Sequence, residues 1–203
     1  SGPIKTFSYN VTMRDAPDDQ MINIGVSQKG GHVVWMLNNR AVNENKFDMD
    51  KAKKAGRDYL EKHGYMNMED TYYLKHDNTA TINYAYRQNE VTIYPDLIKV
   101  KVALDTGEIV GIEAKTYLSN HTEREIPQPK ISAEEARKRI NERLELHGSG
   151  LAIIPTDYKK EKFCYEFKGK LNDNDFIVYI NAETGEEEDI LMIVNTPNGV
   201  LTM

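Results

Sequence analysis

Residues 98–104 (IKVKVAL) and 176–182 (FIVYINA) place apolar side chains at alternate positions, and each run leads into an acid followed by Thr-Gly-Glu. A period of two marks a strand with one buried face. Both runs therefore read as strands entering a short hairpin. The turns are Asp105-Thr106-Gly107-Glu108 and Glu183-Thr184-Gly185-Glu186, with each glycine at a bulge position that requires positive φ. TINYAYR (81–87) and KFCYEFK (162–168) alternate likewise. Ile82, Tyr84 and Tyr86 share a face of one run, and Phe163, Tyr165 and Phe167 share a face of the other.

Ahead of each strand pair the period becomes helical. DMDKAKKAGRDYLEKHG (48–64) and SAEEARKRINERLELHG (132–148) align without gaps, pairing Asp48 with Ser132, Ala52 with Ala136, Leu60 with Leu144, and His63-Gly64 with His147-Gly148. Asp48 and Ser132 are N-caps, whose side-chain oxygens accept from free amides of the first turn. Ser132 and Glu135 form a capping-box pattern. Ala136, Ile140 and Leu144 fall on one helical face. Gly64 and Gly148 suit the left-handed position that ends a helix. Gly56, inside the first helix, costs about 1 kcal/mol relative to alanine, which close packing against a sheet would explain.

Two tandem units of helix, strand, strand, turn and strand are thus predicted. A partial third copy opens the chain, as strand FSYNVTMR (7–14) and then MINIGVSQKGGHVVWM (21–36), with Lys29-Gly30-Gly31 in the turn. No helix is predicted before it, and truncation is the favoured reason. The expected fold class is α+β, with tandem units of one helix packed on a small antiparallel sheet, the first reduced to strands. The expected domains are a partial unit over 1–44 and units over 45–120 and 128–203. RAVNENK (40–46) and SNHTEREIPQP (119–129) read as linkers, with Pro127 and Pro129 blocking regular structure. ILMIVN (190–195), a turn at Thr196–Gly199 and a last short strand would tie the end of the chain into a sheet.

Composition narrows the function. The chain has 203 residues and a net charge of −6, with acids and bases interleaved. A general nucleic-acid binder needs a basic stripe to neutralise phosphates, so nucleic acid is not an expected partner, nor is an anionic membrane surface. No apolar run approaches the ~20 residues that span a bilayer. Ser1-Gly2 reads as a processing scar and the chain as a piece of a longer protein. The single cysteine, Cys164, rules out an intramolecular disulfide and argues against a Cys-based zinc site.

Candidate chemistry is sparse. His63 and His147 recur at equivalent positions, but a histidine in a last helical turn is explained by the helix dipole, and neither has a second metal ligand at helical spacing. His121 reads as a solvated linker residue; His32 and His76 lie in or beside strands without a recurring partner. Cys164 reads as a small residue packed on its strand. Residues 172–175 (NDND) resemble a calcium loop in composition but lack its glycine and terminal glutamate, and read as a polar hairpin tip. GEEED (185–189) reads as charge protecting an exposed strand edge. Asn10-Val11-Thr12 and Asn120-His121-Thr122 match the glycosylation sequon, a common chance match. Tyr72, Tyr73, Tyr84, Tyr86, Tyr94 and Tyr117 divide between core and interface roles.

With these residues in view, the chain resembles tandem PepSY domains. An acid, Thr-Gly and a second acid between two strands, after a helix, is that family's most recognisable stretch, here at Asp105–Glu108 and Glu183–Glu186. The likeness covers nearly all of the chain, and within the family it is to the region of a Bacillus-type spore germination protein that lies outside the membrane. The resemblance implies a non-catalytic regulatory module that binds, stabilises and restrains a spore cortex-lytic enzyme, a peptidoglycan hydrolase. It implies a place at the outer face of the spore inner membrane, held by an N-terminal anchor outside this chain. It brings no catalytic, metal or cofactor-binding residues, and the partner-binding surface stays unknown. PepSY units also occur in propeptides of secreted metallopeptidases, so a protease-inhibitory module is an alternative, as is direct binding of peptidoglycan. Homo-oligomerisation stays open.

Overall fold

The chain runs β1 (Thr6–Val11), β2 (Ile22–Ser27), β3 (Val33–Asn38), α1 (Met49–Lys62), β4 (Met68–His76), β5 (Thr79–Gln88), β6 (Val91–Ala103), β7 (Ile109–Glu113), α2 (Lys115–Asn120), α3 (Ala133–Arg137), β8 (Glu145–Pro155), β9 (Glu161–Leu171), β10 (Asn174–Asn181), β11 (Glu187–Thr196) and β12 (Gly199–Thr202). This is an α+β fold dominated by strands. The computed structural model describes residues 4–12, 14, 20–156, 160–172, 174–196 and 199–202. Ser1-Gly2, Met13 of the first predicted strand, Asp173 of the polar tip, and Pro197 and Asn198 of the last predicted turn lie outside them. The chain divides into two compact units, Ser1–Tyr86 with Asp96–His121, and Arg87–Pro95 with Thr122–Met203.

In the first unit the strands lie in the order β1-β2-β3-β7-β6-β5-β4. Helix α1 begins and ends as its sequence dictates. Asp48 Oδ1 accepts from the Lys51 amide at 2.8 Å, and Gly64 leaves the helix at φ +84°. Ala52, Gly56 and Leu60 are the buried stripe. They face a core of Ile82, Tyr84, Ile98, Val100 and Val102 from β5 and β6. Gly56 is required by close approach, because a Cβ there would stand 2.2 Å from the Tyr84 hydroxyl. That hydroxyl donates to the Lys53 carbonyl at 2.7 Å, so helix and sheet are joined at the point of closest contact.

The repeated turns fold alike. Gly107 and Gly185 take φ +79° and +76°. Each glycine N–H donates to the carbonyl four residues back, at Ala103 and Asn181, and Thr106 and Thr184 each accept from the following glutamate amide. The segment entering each helix docks on the same turn. The amides of Lys46 and Phe47 both donate to Leu104 O, and those of Lys130 and Ile131 both donate to Ala182 O. Phe47 lies over Gly107, where a Cβ would come 2.4 Å from its ring; at Gly185 the neighbour is Ile131, at 3.4 Å. The turn is thus the seat for the chain entering the helix.

The second unit orders its strands β12-β11-β10-β9-β8, and residues 91–93 of β6 pair in parallel with Leu151–Ile153 of β8. Both faces of this sheet are packed. Tyr165, Phe167, Val178 and Ile180 meet Ala136, Ile140 and Leu144 on one side. Ala152, Ile154, Cys164, Ile177 and Tyr179 pack with Tyr94 on the other.

The predicted second helix is corrected. Ser132 makes its capping box with Glu135, but α3 stops at Arg137. Beyond it the bonds tighten to the i−3 pattern, from Arg139 to Ala136 and from Ile140 to Arg137. Asn141 then bonds the Arg143 amide through its own side chain, a local alternative to the helix ladder. From Glu145 the backbone pairs with β9, Glu145 opposite Lys170 and Leu146 opposite Gly169. Gly148 therefore lies in a strand, not at a helix end. Ile140 and Leu144 still enter the core, so the apolar spacing holds without the helix.

The GEEED run pairs with β10 on one side, while the register of β12 on β11 covers Ile193–Thr196, beyond that run. Glu187 and Asp189 are exposed, and Glu188 bonds Asn181 Nδ2 at 2.6 Å and pairs with Lys162. The 119–129 segment is anchored. Arg124 forms a two-pronged bridge to Glu161 at 2.7 and 2.8 Å, and its backbone exchanges two hydrogen bonds with the Gln88 side chain.

Candidate functional site

The early end of α3 opens the surface of the second unit. Residues 138–144 leave the helical path, and three adjoining depressions follow their course. One of about 610 Å³ lies among Glu134, Arg137, Lys138, Ile140, Glu142, Leu144 and Leu146. Another of about 380 Å³ runs past Arg137 and Leu146 to His147, Ser149 and Phe167. A third, smaller and more apolar, of about 160 Å³, is bounded by Ile140, Leu144, Leu171, Phe176, Val178 and Ile190. Strands β9, β10 and β11 supply the floor of the third, and the charges of α3 form a rim on the first. Apolar floor with charged rim is the anatomy of a protein-binding surface. In the first unit the 14-residue α1 covers the matching stripe through Leu60.

Two buried carboxylates anchor polar networks. In the first unit Asp96 is 0% exposed and lies 2.7 Å from His121 Nδ1. The imidazole stacks on Tyr117, with ring centres 4.2 Å apart, and meets the edge of Tyr86 at 4.7 Å. Burial, with Asp96 nearby, pushes the Tyr117 phenol up to about 12. In the second unit Glu166 Oε2 accepts from Tyr94 at 2.7 Å and Tyr179 at 3.0 Å, while Oε1 pairs with Lys168 at 3.1 Å. Desolvation by burial is the main cause that raises the Tyr179 phenol far above its ordinary value. Both networks hold chain segments together, the first binding the end of α2 to β6 and the second binding three strands.

The histidines separate in the structure. His63 caps α1, its Nδ1 2.7 Å from the Tyr59 carbonyl oxygen, as the dipole reading expects. His147 sits exposed on β8, so the two are no longer equivalent. His121 is exposed, as the linker reading expects, but its ring is also the partner of Asp96; nothing in its sequence neighbourhood reveals a carboxylate 25 residues away. His76 pairs with Asp77 on the surface, and His32 is exposed. Cys164 is fully buried, and burial pushes its thiol up to about 12. Asn172 turns the β9–β10 hairpin at φ +47°. Among the described residues no three His, Cys, Asp or Glu side chains gather as metal ligands, and no helix is long and apolar enough to cross a membrane.

Comparison with known proteins adds a family. A family model described as "YpeB sporulation, PepSY1 and PepSY2 domains" matches residues 1–127, and one described as "Peptidase propeptide and YPEB domain" matches 130–191. The "Sporulation protein YpeB" of Halalkalibacterium halodurans is 39% identical over 182 residues, 90% of this chain and 41% of that protein. The protein of the same name from Bacillus subtilis is 32% identical over 189 residues, 92% of this chain and 42% of that one. The chain thus spans about two fifths of the length of these relatives. The solved "Bacillus megaterium YpeB C-terminal domain" superposes with a TM-score of 0.86 at 30% identity, covering 96% of this chain and 85% of that one.

Proposed function

Because the chain belongs to the YpeB sporulation protein family, we propose that it is a non-catalytic module of spore germination that binds, stabilises and restrains a cortex-lytic peptidoglycan hydrolase. On this reading it works at the outer face of the spore inner membrane, in a protein anchored by a segment outside this chain. The same reading treats residues 1–44 as a partial PepSY-like repeat and residues 45–120 and 128–203 as two further repeats.

The observation that carries the proposal is the open surface beside α3, where Leu146 lines one depression with Glu134 and Arg137, and Phe176 and Ile190 line an adjoining, more apolar one. Apolar side chains held on paired strands bind a partner without rearranging, and interface energy concentrates in such central contacts. The test mixes the purified protein with the hydrolase. The expected result is no cortex hydrolysis by the protein alone, a longer lifetime of the hydrolase under proteolysis, and slower cortex hydrolysis by the mixture. Ile190→Glu, at a residue that is 47% exposed, should weaken all effects of mixing while leaving the fold intact. Unchanged lifetime and rate on mixing would reject the proposal.

The description of the model matching residues 130–191 names a peptidase propeptide, which favours one second reading, inhibition of a metallopeptidase. Titration of a secreted metallopeptidase with the protein separates the two: inhibition there, with no effect on the hydrolase, selects the second.

A further inference from the structure

Among the described residues, the apolar face of β1 and β2 continues the face that α1 covers in the first unit. Cross-strand partners share a face of a sheet, and one row can be followed across five strands: Tyr9 on β1, Ile24 on β2, Met36 on β3, Ile112 on β7 and Val100 on β6. Val100 is 0% exposed and Ile112 5%, both in the core under α1. Met36 and Ile24 are half-buried, and Tyr9 is 52% exposed. On the same face Phe7 lies opposite Val26 and Val11 opposite Ile22, with Phe7 53% and Val11 41% exposed. The row is continuous with the covered core and loses its cover toward β1. Isolated exposed apolar side chains are ordinary, but a contiguous apolar sheet face marks a contact surface.

The chain itself indicates what fits there. β2, the Lys29–Gly31 turn and β3 repeat the arrangement of β6, the Thr-Gly turn and β7, where α1 covers the matching face through Ala52, Gly56 and Leu60, spaced four apart. Among the described residues no helix precedes β2. More than half of each YpeB relative above lies outside the stretch matched by this chain. We propose that the Phe7–Tyr9–Val11 face seats an amphipathic helix from the part of the same polypeptide outside residues 1–203. Packed beside α1 at about 8–10 Å between axes, it would complete the layer and give the first repeat the helix the second has. This inference is independent of the partner proposed above.

The test uses the full-length protein with benzoylphenylalanine in place of Tyr9, irradiated and digested for mass spectrometry. The expected result is a crosslink within one chain to a peptide outside residues 1–203. The same probe at Ser8, on the opposite face, should give less than about a tenth of that yield. A crosslink confined to residues 1–203, one between chains in a mixture of isotopically light and heavy protein, one to another protein, or none at all would overturn the proposal. Phe7, on the same face, is the second probe position should the Tyr9 variant fail to fold, and the same outcomes decide it.

Discussion

Arg40 and Asp105, 65 residues apart in sequence, meet in a two-pronged bridge, each terminal nitrogen of the guanidinium 2.8 Å from one carboxylate oxygen. The same guanidinium donates from Nε to Glu108 at 2.7 Å and from Nη2 to Thr106 at 2.9 Å. One side chain from the segment between β3 and α1 thus grips three of the four residues of the Asp-Thr-Gly-Glu turn. Forked pairs of this kind are the strong ones, and both partners are less than a fifth exposed.

Arg40→Ala should therefore lower stability by about 2 kcal/mol at neutral pH, and Arg40→Lys should recover only part, because a point charge cannot reproduce the fork. The effect depends on pH. Arg40 holds the Asp105 carboxyl down to about 2 in the folded chain, against about 4 when unfolded. A depressed carboxylate contributes fully above its unfolded value, and the contribution is lost as pH falls through its folded one. Urea unfolding should show the wild-type advantage intact at pH 6, shrinking below about pH 4 and nearly gone near pH 2. A gap unchanged across that range would show that the pair does not set it.

Gly107 and Gly185 test the turn itself. Both need positive φ, so alanine at either should cost about 1 kcal/mol through backbone strain. At Gly107 the new methyl also strikes the Phe47 ring, and overpacking adds about 1–3 kcal/mol. Gly107→Ala should thus be worse than Gly185→Ala, and the difference should close in the Phe47→Ala background. Equal losses in both backgrounds would mean that Phe47 is not what limits the turn.

Gly56→Ala separates helix propensity from packing. Propensity alone predicts a gain of about 1 kcal/mol. The 2.2 Å approach to the Tyr84 hydroxyl predicts a loss of about 1–3 kcal/mol instead. Denaturation should show a net loss, smaller when Tyr84→Phe removes the struck oxygen. A stabilised Gly56→Ala variant would show that the helix lifts off the sheet at little cost.

Local signals carried far in this chain. Alternation located β5, β6, β9 and β10; Asp48 and Gly64 bounded α1; Thr-Gly located both turns. Gly56 in a helix foretold close contact with a sheet. What stayed hidden depends on partners distant in sequence. Residues 138–148 have helical spacing, but from Glu145 onward β9 offers the backbone a pairing edge that no local pattern reveals, and β8 begins there instead. His121 reads as linker because Asp96 is on another strand. Arg40 and Arg124 read as ordinary linker charges, since Asp105 and Glu161 come to them only through the sheet. The depressions beside α3 exist because a helix ends early, which its own sequence conceals.

Cys164 reports on how the second unit opens. Only the thiolate reacts with a disulfide reagent, and burial pushes this thiol up to about 12. At pH 8 the native protein should react on the order of 1,000-fold more slowly than protein in urea, because reaction must wait for opening. Where opening equilibrates faster than labelling, the rate follows the stability of the unit. Gly185→Ala, in the same unit, should then raise the native rate about 5-fold for a loss of about 1 kcal/mol. Gly107→Ala, in the first unit, leaves it unchanged if the units open separately and raises it if they open together. Fast labelling of the native wild type, or a rate indifferent to Gly185→Ala, would mean that the reagent reaches Cys164 through a local fluctuation between β8 and β9 rather than through loss of the packed sheet.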